Sequence, residues 1–487
     1  MTHRDLYERV SGCGEVRPPR SLKPFRMEMD MADLLYTIRK HFLLYPKAWK
    51  EGDGCTRLSF LIFGLGNLVR GQIVKGLLFL LMEAGLIGYM VKIGFQGIRG
   101  FVTLGTQEQG WVFDAQKGID VLVAGDNSML LLLYGIIAIL AVVVFVLLWR
   151  SSIQSAYTVQ KLKENGELIP GLKEELELFL DKKVHVTLLL LPVLGILVFT
   201  VLPLIYMILV AFTDYNSEHQ PPGNLFHWVG FANFRTLLAS NSPLGNSFWP
   251  ILGWTIFWAV IATVTCFLAG ILLSLWIGSR YVKGKKFWRT IFVLSVAVPQ
   301  FVSLLVIRTM LQPEGAVNVL LKSLGLIQES LPFLTNAAWA RTVVILVNLW
   351  VGAPYTMLIA TGILMNVPGE LYEAARIDGA NGVTMFTKIT FPYIIFIMTP
   401  YLITQFIGNV NNFNVIYLLT GGGPSTLAYY QAGKTDLLVT WLYKLTVGSK
   451  DYCYASAIGI LVFVISAVVS LVTYRNTSAY KNEEGFQ

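Results

Sequence analysis

Two sets of asparagines stand on single faces of apolar runs. Asn348, Gly352 and Tyr355 are spaced at i, i+4 and i+7, and Asn409 and Asn412 at i and i+3, so each set lines one side of a helix. An amide offers two donors and two acceptor lone pairs, a tyrosine adds a hydroxyl and a ring, and Gly352 leaves room between its two larger neighbours. Polar groups inside a membrane helix are costly unless they face a bundle interior or a water-filled cavity. Such a set can hold a ligand rich in hydroxyls, or it can pair helices with one another; spacing alone leaves both open. Asn411 is out of phase and is expected to point elsewhere. Ser303, shortly after Pro299-Gln300, is a further hydroxyl in an apolar run.

Other residues are weaker candidates. Glu83 is an acid deep in an apolar run, a position that by default suggests a proton relay, but no partner is evident and a hydrogen-bonded packing role is the expectation. Arg308 is expected to snorkel from a helix end. Gly433-Lys434-Thr435 imitates the end of a phosphate loop, but Ala428 stands where that motif requires glycine, so no nucleotide site is expected. Cys13, Cys55, Cys266 and Cys453 form no C-x-x-C pair, and His3, His41, His185, His219 and His227 lack ligand spacing, so neither a disulfide framework nor a metal is expected.

A third constellation is mechanical. Between residues 365 and 392, Pro368-Gly369 ends one helix, and Glu370 and Glu373 sit near the start of a short new one, where negative charge is favoured. Ala374 and Ala375 leave a face small enough to enter a groove, Gly379 permits a turn, and Pro392 opens the next span. A short surface helix fixed at both ends to membrane helices is a lever.

The elements that must position these residues are membrane spans. The chain has 487 residues, 54% hydrophobic and 14% charged, against about a quarter charged in soluble proteins, and its mean hydropathy is +0.59. Runs of about 20 apolar residues suffice to cross the hydrocarbon layer; they occur near 72–96, 129–149, 184–212, 249–277, 290–310, 342–364, 391–411 and 452–474. The expected fold is therefore an all-α polytopic membrane protein of about eight helices, with 57–70 lying along the interface. The alternating pattern of a barrel is absent. The net charge of +8 sits at the edges of the apolar runs, which excludes a nucleic-acid reading and sets orientation. Loops 150–183, 278–289 and 365–390 are basic, densest at Arg280, Lys283, Lys285, Lys286 and Arg289, so both termini are expected inside. Four segments follow: an N-terminal cytoplasmic tail and interfacial stretch (1–71), an appended two-helix unit with its linker (72–183), a six-helix core (184–475), and a cytoplasmic tail (476–487). The tail before the first span is too long and charged for a cleavable signal.

The spacing Glu373-Ala374-Ala375, three residues, Gly379, nine residues, Ile389-Thr390-Phe391-Pro392 resembles the EAA-x3-G-x9-I-x-L-P loop of ABC importer permeases, with Phe391 in place of Leu. Trp228-Val229-Gly230-Phe231-Ala232-Asn233-Phe234 and Leu419-Thr420-Gly421-Gly422-Gly423-Pro424 look like the outer-loop motifs of sugar permeases. The stretches at Asn348–Tyr355, Asn409–Phe413 and Thr435–Val439 are similar to the MalF-type permeases of maltose and maltodextrin importers, as is the extra N-terminal helix pair.

That resemblance implies a permease subunit translocating an oligosaccharide, maltose or maltodextrin first, across the cytoplasmic membrane of a bacterium. Asn348, Gly352, Tyr355, Asn409, Asn412 and Ser303 would contact the sugar; Glu373, Ala374, Ala375 and Gly379 would dock an ATPase. The chain would not be an enzyme and would carry no cofactor, ATP and Mg being bound by two separate ABC ATPase subunits. Its other partners would be a MalG-like second permease and an external sugar-binding protein. The loop 213–248 lacks the large extracytoplasmic domain of Gram-negative members, which implies a Gram-positive type with a lipid-anchored binding protein. The alternatives are a permease for another oligosaccharide, such as a galacto-oligosaccharide, an ion-coupled transporter using Glu83, and a scaffold without transport.

Overall fold

The computed structural model describes residues 44–177, 180–181, 184–279 and 281–476. Most of the N-terminal tail with Cys13, His3 and His41, the cation Arg280 and the C-terminal tail lie outside the described residues. Helices α1 (Ile73–Thr103), α2 (Ser128–Glu164), α3 (Thr187–Val210), α4 (Pro243–Gly278), α7 (Ala337–Met365) and α12 (Tyr452–Asn476) are long and apolar enough to cross a membrane, as is the stretch Gly382–Thr420. That makes seven spans among the described residues, or eight if the bent pair α5 (Lys285–Ala297) and α6 (Gln300–Met310) is one.

This pair is the main departure from the expected spans. The run 290–310 is not one straight helix, because α5 and α6 meet at 89°. Val298 and Pro299 are extended, with ψ of 130° and 124°; proline disfavours a helical residue before it and cannot donate the bond that would continue the helix. A second departure is a hairpin in the loop 97–128. Strands β1 (Gly110–Asp114) and β2 (Ile119–Val123) pair antiparallel with Trp111 opposite Leu122 and Phe113 opposite Asp120. At its base the Asp126 carboxylate accepts from the Thr106 and Gln107 amides at 2.8 and 3.1 Å, which holds its pKa below the ordinary 3.8.

The described residues divide into two compact units, one drawn from 44–96 with 137–194 and one from 97–136 with 195–476. In the first, two short helices, Gly54–Leu58 and Leu65–Val69, precede α1. Arg70, its side chain only 3% exposed, holds them together: it donates to the Gly66 and Ala156 carbonyls, to Thr56 Oγ1 and to Asp53. Asp53 also caps the first helix through the Thr56 amide at 2.8 Å. Partial burial pushes the Asp53 pKa up, but the Arg70 and Thr56 hydrogen bonds outweigh it and hold it below 3.8. Glu83 is buried, as expected of an acid in an apolar run, and Oε2 accepts from the Phe63 amide at 2.8 Å. It satisfies a donor in the turn between the short helices, where a buried unpaired amide would be costly.

The second unit is built on α4, which packs along α7, with α9 (Phe391–Val410) against both. Small residues set the approach: a Cβ on Gly270 would lie 2.6 Å from Thr356, and one on Gly352 2.8 Å from Cys266 Sγ. The core around them includes Trp254, Trp258, Ala262, Val343 and Val344 at one level and Phe267, Ile271, Ala360 and Ile394 at another.

Two expectations follow for the first unit. Glu83→Gln retains an acceptor for the Phe63 amide and should melt close to the parent in detergent, whereas Glu83→Leu orphans that donor and should lose about 1–3 kcal/mol. Because the folded Asp53 pKa is depressed, its contribution is complete above 3.8 and lost as pH falls through the lowered value. Asp53→Asn should therefore flatten the acid limb of a stability profile below about pH 4.

Candidate functional site

Half-way along α7, the amides of the two asparagine sets meet. Asn412 Nδ2 donates to Asn348 Oδ1 at 3.3 Å and to Asn409 Oδ1 at 3.5 Å. Asn409 donates in turn to Thr263 Oγ1 at 3.0 Å, and Asn348 lies against Cys266 Sγ at 3.5 Å. The backbone joins in, with Trp258 Nε1 donating to the Asn409 carbonyl at 3.0 Å. Asn348 and Asn409 are buried, so the network is a satisfied polar cluster held by apolar helices.

The cluster forms one wall of a cavity of about 370 Å³ that opens beside it. Asn348, Gly352, Asn409 and Asn412 line it; Tyr355 and Ser303 do not. Tyr355 is half exposed and its ring lies 6.1 Å from that of Tyr401. Gly352 is required by the α4 approach, since its Cβ would collide with Cys266. Asn411 also lines the cavity, contrary to the helical phase. The reason is a break: α9 ends at Val410, and Asn412 caps a new helix, α10 (Phe413–Thr420), by accepting from the Val415 amide at 3.2 Å.

Three further lining residues, Gln300, Gln405 and Asn414, were not singled out in the sequence. Gln405 precedes Asn409 by four positions, so the same helical phase could have found it. Gln300 reaches the cavity only because Pro299 turns α6.

A larger cavity, about 930 Å³, lies in the loop after α10. Arg308 lines it rather than snorkelling away, together with Lys444 at the end of α11 (Leu438–Lys444). The phosphate-loop imitation in this loop is closed on itself: the Gly433 amide donates to Asp436 Oδ2 at 2.7 Å and Thr435 Oγ1 to the Gly423 carbonyl at 2.6 Å. Buried Asp436 pairs with Lys444 at 2.6 Å.

At the other end of α7 stands the lever. Helix α8 (Gly369–Ile377) contains no buried residue, and Glu373 and Ala374 are exposed. Its end is a Schellman motif: the Ala380 amide donates to the Ala375 carbonyl at 2.8 Å and the Gly379 amide to that of Arg376 at 3.1 Å. Gly379 has φ of +78°, the left-handed conformation this motif demands. Tyr372 and Thr390 hydroxyls, 2.9 Å apart, tie α8 to the entrance of α9.

Residues 270–479 match the family described as binding-protein-dependent transport system inner membrane component. The maltodextrin transport system permease protein MdxF of Bacillus subtilis is 33% identical over 92% of this chain and 100% of its own length. The galactooligosaccharides transport system permease protein GanP of the same organism is 35% identical over 88% and 98%. Among solved structures, a bacterial alginate ABC transporter in complex with an alginate pentasaccharide-bound periplasmic protein aligns with TM-score 0.50 and 25% identity, covering 63% of this chain and 99% of that one.

Two substitutions test this geometry. Gly352→Ala should lower the melting temperature through its clash with Cys266 Sγ, and Cys266→Ala should restore it; a pure ligand-space role predicts no rescue. Gly379→Asn should preserve the end of α8, whereas Gly379→Val should cost about 1–2 kcal/mol locally, read as a lower melting temperature in detergent.

Proposed function

The chain belongs to the binding-protein-dependent ABC importer permeases, multi-pass cytoplasmic-membrane subunits whose ATP hydrolysis takes place on a separate polypeptide, and we propose that its cargo is maltodextrin. Supporting that cargo are the full-length likeness to MdxF and an amide-lined cavity of about 370 Å³, the chemistry that hydroxyl-rich, uncharged ligands require. The observation that carries the mechanism is continuity: α7 bears Asn348 and Gly352 in its middle and leads at its end into the exposed helix α8.

In this reading an external, lipid-anchored binding protein delivers the sugar, and two ABC ATPase subunits, holding ATP and Mg, grip Glu373, Ala374, Ala375 and Gly379. Their closure moves α8, and α7 and α9 with it. A MalG-like second permease supplies the other half of the path and the second docking helix. Both termini face the cytoplasm. Asn348, Asn409 and Asn412 contact sugar hydroxyls, and Gly352 lines the cavity beside them. Tyr355 and Ser303, outside the cavity lining in this conformation, would contact the sugar only after rearrangement. The 35% identity to GanP favours, as a second reading, a galacto-oligosaccharide.

Uptake of labelled α- and β-linked oligosaccharides by proteoliposomes of the assembled importer decides between them. Maltotriose should be taken up with ATP, and Asn348→Leu with Asn409→Leu should reduce uptake at least about tenfold. Transport that persists without ATP would sink the importer reading, and preference for β-linked galactosides would replace the cargo.

A further inference from the structure

The asparagine trio is largely engaged within itself. Asn412 commits both amide hydrogens, to Asn348 and Asn409, and its oxygen to the Val415 amide. Asn409 and Asn348 each commit one hydrogen, to Thr263 and Cys266, and each accepts from Asn412. A sugar reaching this wall must compete with bonds already made.

Another pair lining the cavity is engaged far less. Asn414 Nδ2 donates to Gln300 Oε1 at 3.4 Å, a long bond. No other side-chain bond of either residue is found among the described residues. Both hydrogens on Gln300 Nε2, one on Asn414 Nδ2 and the Asn414 oxygen are therefore uncommitted. Both residues line the same cavity, Asn414 is exposed and Gln300 half-buried. They come from elements built to reach it: Gln300 is the first residue of α6 after the 89° bend at Pro299, and Asn414 lies in the first turn of α10 after the break at Asn412. Helices α6 and α10 pack along one another, so the two amides are held as a unit.

Resting on the sugar-permease reading, we propose that Gln300 and Asn414 form a second sugar-reading subsite that supplies the uncommitted donors and acceptor for a pair of hydroxyls, while the asparagine trio supplies a preorganised wall. Recognition of which hydroxyls are present, and hence discrimination between sugars, is assigned to this pair. The bent helix pair then has a function beyond spanning the membrane, because a straight 290–310 helix would not turn Gln300 toward α10.

The test is uptake of mono-deoxy maltotrioses by the complete importer in proteoliposomes, or of mono-deoxy galactotrioses if β-linked sugars are the cargo. In the parent, removing a contacted hydroxyl should raise KM about five- to tenfold. Gln300→Leu should raise KM for the intact sugar by a similar factor and abolish the further penalty at one deoxy position. Asn414→Leu should do so at the same or an adjacent position. A merely structural role would raise KM while leaving the parental deoxy pattern intact, and that pattern in both variants overturns the subsite. If uptake also ignores Asn348→Leu with Asn409→Leu, the cavity reading falls with it; if uptake depends on those residues, only the subsite fails.

Discussion

The approach of α4 to α7 is the contact on which the second unit depends. With no Cβ at Gly270 or Gly352, the two helices close until Thr356 and Cys266 occupy the vacated space. Between lipid-exposed helices there is no hydrophobic driving force for association, so packing of small residues and interhelical hydrogen bonds must supply it. That closeness brings Cys266 within 3.5 Å of the Asn348 amide. The same α4 carries Thr263 and Trp258, which orient Asn409 from either end of its residue. One helix thus sets the direction of two amides belonging to two other helices.

A buried amide constrains the backbone as well as the side chain. Asn409 is buried, and where α9 stops at Val410 its carbonyl accepts from both the Asn412 amide at 3.2 Å and Trp258 Nε1 at 3.0 Å. Asn412 then caps α10. The break would cost main-chain hydrogen bonds in an apolar setting, and an indole and an asparagine cap supply further partners there. A cavity wall made this way has fixed donors and acceptors before any ligand arrives, so less ordering is lost on binding.

How much of this was legible follows from what each feature rests on. The spans are visible because hydropathy is local, and the short helix α8 because proline, acidic residues, alanines and glycine each act through their own backbone. Gly379 is the sharpest case: a helix stop was readable, and the Schellman geometry gives its reason. The bend at Pro299 was less visible, since the apolar run continues on both sides and proline is tolerated in many membrane helices. Tyr355 and Ser303 share a face or a neighbourhood with cavity residues, yet helical phase says nothing of which neighbour covers a face. Asn411 was misplaced because phase was extended through a break that the adjacent cap residue, Asn412, signals. Glu83 found its partner twenty residues upstream in a turn, a pairing no local pattern contains.

The lever and the cavity are coupled only if the path between them is stiff. From Asn348 to Met365, α7 is continuous despite Pro354, about 26 Å of helix at 1.5 Å per residue. Helix α8 follows after Asn366, Val367 and Pro368, and the Tyr372–Thr390 contact returns the connection to α9, which carries Gln405 and Asn409. On the proposed reading, a displacement of α8 would reach Asn348 through α7 and Asn409 through α9. Gln300 and Asn414 stand instead on α6 and α10, beyond the Pro299 bend and the Asn412 break. Helix α10 packs against α6 and also against α7, so the pair stands beside the trio on elements other than the two helices that α8 joins.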